Sequence, residues 1–209
     1  PAATTQTTVP GAVQLNGDAP ELDPGTYWID HDGDPATSLR VEFTLDEPGW
    51  GPFVGVNKGG PTELSYVAAK FLAVDTVASA ACNGTTWVPA GDTAEELATG
   101  LSKIEDFVAQ VPLEPVSAYG YDGYHLVLEV PELGPEVWGD VAPCDDKYFD
   151  GYEGPTISRY YQGANQVVEF WSLDVDGTPL LIETTWFPDS PAEDLDQLQT
   201  ILDSVLTTP

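Results

Sequence analysis

Asp30, Asp32 and Asp34 set three carboxylates at alternate positions around Gly33, with His31 among them. Oxygen donors at such spacing could collect a hard cation such as calcium. Two other places are acidic enough to raise the same question. One is Asp174-Val175-Asp176-Gly177; the other, Cys144 to Gly154, carries Asp145, Asp146, Asp150 and Glu153.

The first stretch does not fit the known calcium template. In an EF-hand loop the glycine stands sixth and a bidentate glutamate twelfth. Counted from Asp30, the glycine stands fourth and Val41 twelfth. A tight turn at Asp32-Gly33 would also put Ile29 on the polar face of Ser38, Arg40 and Glu42, so a longer loop over about residues 32 to 36 is expected, matching Ile29 to Leu39. At Asp176-Gly177 a two-residue type I′ turn pairs Val175 with Thr178, Leu173 with Leu180 and Trp171 with Ile182. That register accounts for the motif as a hairpin. The third stretch reads as a solvated acidic loop, and no metal ligand or cofactor is assigned anywhere in the chain.

Nucleophilic catalysis needs an activated hydroxyl or thiol beside a base. No G-x-S-x-G, HExxH, P-loop or GxGxxG is present. His125 alternates with Leu126 and Leu128, so it shares a strand face with Val127 and Glu129. A histidine and a glutamate so placed could act as a base and its orienting partner. With 35 acidic residues, carboxylate pairs for glycoside cleavage carry no signal. No catalytic residue is named.

Aromatic residues offer a better surface for recognition. Trp138, Tyr148, Phe149 and Tyr152 fall in the Gly/Pro/Asp-rich stretch from 132 to 155. Large, stiff, amphipathic rings on loops make good anchors, which nominates Trp138, Tyr148 and Tyr152 as ligand contacts. The competing reading is a satellite cluster packing the loop around a disulfide. Trp50, Trp171 and Trp186 lie in or beside strands and are expected in the core.

The chain that must position these residues has 209 residues and a formal net charge of -29, from 35 acidic and 6 basic side chains. Such a field repels nucleic acid and anionic membrane surfaces. No apolar run reaches the eighteen or so residues of a membrane span, so no membrane insertion of this segment is expected. The absence of methionine and of an intact signal peptide reads as a mature, exported product. In that setting Cys82 and Cys144 form one structural disulfide, worth about 4 kcal/mol on the chain-entropy model. Two buried free thiols in a cytoplasmic chain are the alternative.

Residues 1–21 have the Thr/Pro/Ala-rich composition of a linker, and 22–209 read as a single domain. Alternating segments predict strands at 38–45, 53–58, 66–78, 124–131, 157–162, 167–175 and 178–187. A helix is expected over 92–111, capped by Asp92 with Glu95 and ended by Pro112, with Leu97, Leu101, Ile104, Val108 and Val111 as its apolar stripe. A second opens at Ser190 as N-cap, with Pro191 at its first position and Glu193 closing the box. Its stripe is Leu195, Leu198, Leu202 and Val205. The order predicts an α+β fold, an antiparallel sheet of about six to eight strands covered by two main helices.

The motif order resembles that of uncharacterised exported and lipoprotein-type actinobacterial domains. It runs from a Pro-Gly-x-Tyr segment (Pro24 to Tyr27) to a strand ending in Pro48-Gly49-Trp50, then Cys82 ahead of a capped helix. The Gly120 to Gly123 strand start, Cys144, the Trp171 to Gly177 hairpin and Asp203-Ser204-Val205 complete it. The resemblance implies a PsbP-like fold and a secreted or membrane-tethered binding or accessory role, and brings no catalytic residues. The expected function is therefore a non-catalytic extracytoplasmic recognition domain whose partner is a protein, a glycan or a small molecule. An exported hydrolase using carboxylates and His125, and a calcium-dependent surface module, stand as alternatives.

Overall fold

The structure is a computed structural model that describes residues 11–15, 17–34, 39–59, 65–132, 144, 149–161 and 163–208. The chain opens with β1 (Val13–Gln14), β2 (Gly25–Asp30), β3 (Arg40–Leu45), β4 (Gly51–Pro52) and β5 (Gly55–Lys58). It continues through β6 (Val67–Leu72), β7 (Thr76–Ala78), β8 (Trp87–Pro89) and α1 (Ala94–Leu101). Then come β9 (Val108–Ala118), β10 (Tyr121–Glu129), β11 (Phe149–Gly154) and β12 (Ile157–Tyr161). The last elements are β13 (Val167–Val175), β14 (Thr178–Trp186), α2 (Ala192–Asp203) and β15 (Leu206–Thr208).

The described strands form three sheets rather than the one expected. A seven-stranded sheet, β4-β5-β6-β14-β13-β10-β9, lies between a four-stranded β1-β2-β3-β15 and a four-stranded β12-β11-β7-β8. Two helices are present among the described residues, the number read from the sequence. One core packs Leu72, Leu126, Leu128, Phe170 and Leu181 of the central sheet against α1 and the strands around Phe149, Tyr152 and Tyr161. The other packs Phe71, Leu173, Val175 and Ile182 against Phe43, Leu45, Trp50 and the α2 residues Leu198, Ile201 and Leu202. Because side chains alternate along a strand, the central sheet feeds both cores at once. Its middle strands β6 and β14 are buried on both sides and read as largely apolar runs, whereas β9 at its edge is mostly exposed.

The hairpin registers follow the hydrophobic pattern. β13 and β14 pair Val175 with Thr178, Leu173 with Leu180 and Trp171 with Ile182. Asp176 and Gly177 take φ of 52° and 89°, the left-handed pair that a type I′ turn needs. Between β2 and β3 the parity is right but the register moves on by one pair: Ile29 sits opposite Val41 and Asp30 opposite Arg40. The expected strand 66–78 divides into β6 and β7, which belong to different sheets. Val13 and Gln14, placed in the linker by composition, pair in parallel with Tyr27 and Trp28.

Helix α1 is far shorter than its spacing suggested. Its cap is Thr93, one residue later than expected: the Thr93 hydroxyl accepts from Glu96 N, and the Glu96 carboxylate accepts from Asp92 N. After Gly100 the chain tightens, with Lys103 N donating to Gly100 O and Ile104 N to Leu101 O, and Asp106 adopts φ 80°. Residues 108–118 then form a strand at the edge of the central sheet. Pro112, expected as a helix stop, lies where the pairing with β10 slips between Val111 and Glu114. Prolines are tolerated in a sheet at such edges and bulges. At α2 the cap is Pro191, without a side-chain bond; the Ser190 hydroxyl accepts instead from Phe187 N and donates to Tyr66 O.

Candidate functional site

The side of the central sheet that faces α2 carries a half-open groove of about 300 Å³. Leu195, Leu198 and Leu202 of α2 and Trp186 of β14 supply its apolar lining, while Glu169, Thr184 and Gln199 supply its polar groups. The amphipathic α2 packs against β6 and β3 with Leu195, Leu198 and Leu202 reaching the groove beside Trp186, and the pleat brings Glu169 of β13 opposite Thr184 on the same face. Ligand sites commonly combine an apolar lining with a few polar groups in this way.

His125 stands beside that polar end. Its Nε2 is 2.8 Å from Glu169 Oε1 and its Nδ1 is 3.6 Å from Glu114 Oε1. Its ring lies 5.3 Å from that of Trp171, which Tyr119 meets edge-on at 6.0 Å. The orientation read from the sequence is therefore correct, with different partners: Glu129 accepts from Gln110 instead. Thr184 Oγ1 is 3.4 Å from Glu169 Oε2, so the carboxylate stands between the imidazole and the hydroxyl. Activation of a hydroxyl requires the imidazole in the middle. His125 Nε2 is thus spent on holding Glu169 in place, while Nδ1 meets Glu114 only at ion-pair distance.

The opposite face of the same strands holds a buried charge cluster that sequence reasoning missed. Glu183 Oε1 accepts from Lys70 Nζ at 2.6 Å and from Arg159 Nε at 2.9 Å. Its Oε2 accepts from the hydroxyls of Tyr152 at 2.7 Å and Tyr161 at 3.0 Å. Lys70 and Glu183 are fully buried and the Arg159 side chain is 10% exposed. Burial pushes the Glu183 carboxyl up, but the Arg159 and Lys70 charges and their hydrogen bonds outweigh it and bring it down to about 2. Lys70 is pushed down to about 8, by burial first and then by the Arg159 charge, against the pull of Glu183. Burial and Glu183 together hold both tyrosine hydroxyls well above their ordinary range. The available signal was a lysine inside an apolar run, Val67 to Leu72, in a chain with only 6 basic residues.

Of the expected contact residues, Tyr152 is fully buried and does not stand at a surface. Its ring packs into the core and its hydroxyl is bound to Glu183, because β11 pairs with both β7 and β12 and is not a loop. Trp138 and Tyr148 lie outside the described residues. Cys82 and Cys144 are joined as a disulfide. Of the expected core tryptophans, Trp50 is fully enclosed, whereas Trp171 and Trp186 are half-buried at the groove side.

The acidic loop at β2–β3 serves the fold. Asp30 is buried and faces Arg40 at 3.5 Å, and Asp32 accepts from the Asp34 amide. His31 is buried, which lowers its imidazole below the usual value. Among the described residues no group of three or more His, Cys, Asp or Glu side chains is set to hold a metal ion. A more open cleft of about 510 Å³ lies at the start of α1, where Glu95, Asp122, Asp174 and Tyr124 contribute to the lining.

No protein-family description matches the chain, and no curated protein does. Among solved structures, the crystal structure of LpqN, involved in cell envelope biogenesis of Mycobacterium tuberculosis, is similar at 11% identity, with a TM-score of 0.43. The match spans 89% of this chain and 92% of that one. A likeness of that degree carries no argument about either fold or function.

Proposed function

We propose that the chain is an extracytoplasmic recognition domain that binds without catalysing. Its ligand is amphipathic, with an apolar body that lies between α2 and the central sheet and a donor-bearing or cationic head that meets Glu169. The observation that carries this is the groove itself, where Leu195, Leu198, Leu202 and Trp186 converge on a carboxylate already oriented by His125. The negative field of the whole chain favours a cationic head over an anionic one. Trp138 and Tyr148 belong to this reading as further aromatic contacts.

An oxidising location outside the cytoplasm is supported by the Cys82–Cys144 disulfide, since such bonds persist there and are rare in reducing compartments. The order of sequence motifs supports kinship with exported actinobacterial domains of PsbP-like architecture.

Tryptophan fluorescence tests the groove, because Trp186 lines it. Titration with linear alkylamines should give a saturable change that tightens as the chain lengthens. Leu195→Gln should weaken it about tenfold, and Glu169→Gln should abolish the preference for an amine over the matching alcohol. A response that does not saturate, or one indifferent to both substitutions, would remove the groove as the binding site.

A further inference from the structure

The polar residues of the groove under α2 have committed their donors to one another and kept acceptors to spare. A carboxylate only accepts, so His125 Nε2 is the donor to Glu169 Oε1, and the Thr184 hydroxyl turns its hydrogen toward Glu169 Oε2. Gln199 is oriented in the same way. It stands one turn beyond Leu195 on the groove side of α2, and its Nε2 donates to Asp203 Oδ1 at 2.8 Å, one turn further on. Because the Asp203 carboxylate cannot donate, the amide keeps its nitrogen toward Asp203 and is left with Oε1 as a spare acceptor. The half-open Glu169 carboxylate also has lone pairs beyond the two in use. No described lysine or arginine lines the groove to take them.

We propose, resting on the reading of this groove as a binding site, that its ligand is a single-chain primary amine and that Gln199, set by Asp203, selects the head. A primary ammonium carries three N–H donors, and three residues of the lining offer it acceptors: Glu169, Thr184 and Gln199. A hydroxyl head brings one donor, and a trimethylammonium brings charge with none. Each missing N–H leaves an oxygen beneath the ligand without a partner, which is how sites built on hydrogen bonds reject close analogues. Space sets the tail. A methylene occupies about 30 Å³, much as a water does in the liquid, so a groove of about 300 Å³ takes one chain of about ten carbons. Leu195, Leu198, Leu202 and Trp186 line that path and lead it to the acceptors.

The test titrates the intact protein, by tryptophan fluorescence, with octylamine, N-methyloctylamine and octyltrimethylammonium below their micelle concentrations. These probes share tail and charge and differ in N–H donors. Affinity should fall in that order, by about tenfold from first to last. Gln199→Met keeps the length of the side chain and removes its acceptor. It should cut that preference to about threefold, while the gain in affinity from hexylamine to octylamine stays as in the wild type. Asp203→Ala frees the amide to turn and should lower the preference in the same direction. Both residues are exposed, so the variants should melt as the wild type does. Equal affinity for octylamine and octyltrimethylammonium, with tail-length dependence intact, overturns this inference and leaves the groove as a binding site. So does an undiminished preference in Gln199→Met. Loss of tail-length dependence in the wild type removes the groove reading itself, and this inference with it.

Discussion

One sheet carries a charged cluster on each face, and the two obey different rules. Around Glu183 the charges are dry: Lys70 and Glu183 are wholly enclosed, and every Glu183 lone pair is used. Around His125 they are wet, with side chains 15% exposed for His125, 23% for Glu169 and 58% for Glu114. Removing one partner from a dry cluster strands the others without solvent, whereas water replaces a lost partner in a wet one. The dry cluster therefore bears on whether the chain folds, and the wet one on what the groove receives.

That contrast can be broken or sharpened by substitution. Glu183→Ala should cost about 5 kcal/mol in urea denaturation, because it leaves two buried cations unpaired; a loss no larger than that of a surface glutamate would erase the distinction. The same carboxyl sets an acid limit. Its folded-state value of about 2 lies below that of the unfolded chain, so its contribution is whole above the ordinary glutamate value and fades as pH falls toward 2. Circular dichroism of the wild type should show stability falling across that window, and Glu183→Gln should flatten the fall.

Next in size is the disulfide, whose 62-residue separation is worth about 4 kcal/mol of unfolded-state entropy. Cys144 stands just ahead of β11 and β12, which carry Tyr152, Arg159 and Tyr161. Reduction should expose amides of those strands to hydrogen exchange before those of β10 and β13, where His125 and Glu169 reside. Tyr152→Phe removes one buried bond to a charged acceptor and should cost about 2 kcal/mol by calorimetry. His125→Gln, on the wet side, should change stability by less than ~1 kcal/mol while altering alkylamine affinity in the fluorescence titration.

How much of this was legible depended on whether one physical signal acted alone. The Asp176-Gly177 hairpin was read to the residue, because turn chemistry and alternation agree there. His125 was placed on the correct face for the same reason. Helix α1 was read too long because Ile104, Val108 and Val111 keep helical spacing by chance: Ile104 closes a turn, and the two valines begin an edge strand. Ser190 has an N-cap's sequence context, but its hydroxyl goes to Phe187 and Tyr66, a tertiary choice that no local pattern records. The Glu183 cluster joins residues up to 113 positions apart in sequence on four different strands, so only the fold assembles it. Tyr152 was misread because a Gly/Asp-rich stretch reads as loop, whereas β11 is paired on both sides.

Strand β9 closes one end of the central sheet with its pairing slipping twice along its length, and Pro112 and Pro115 withhold two amide donors from it. A second molecule approaching that border finds a twisted, donor-poor rail in place of a straight template. An all-but-uncharged border would invite fibrous stacking once the chain is concentrated; here the irregular rail and the shared negative charge of every copy both oppose it. The fold can thus carry a long sheet whose exposed border is a poor template for a second copy.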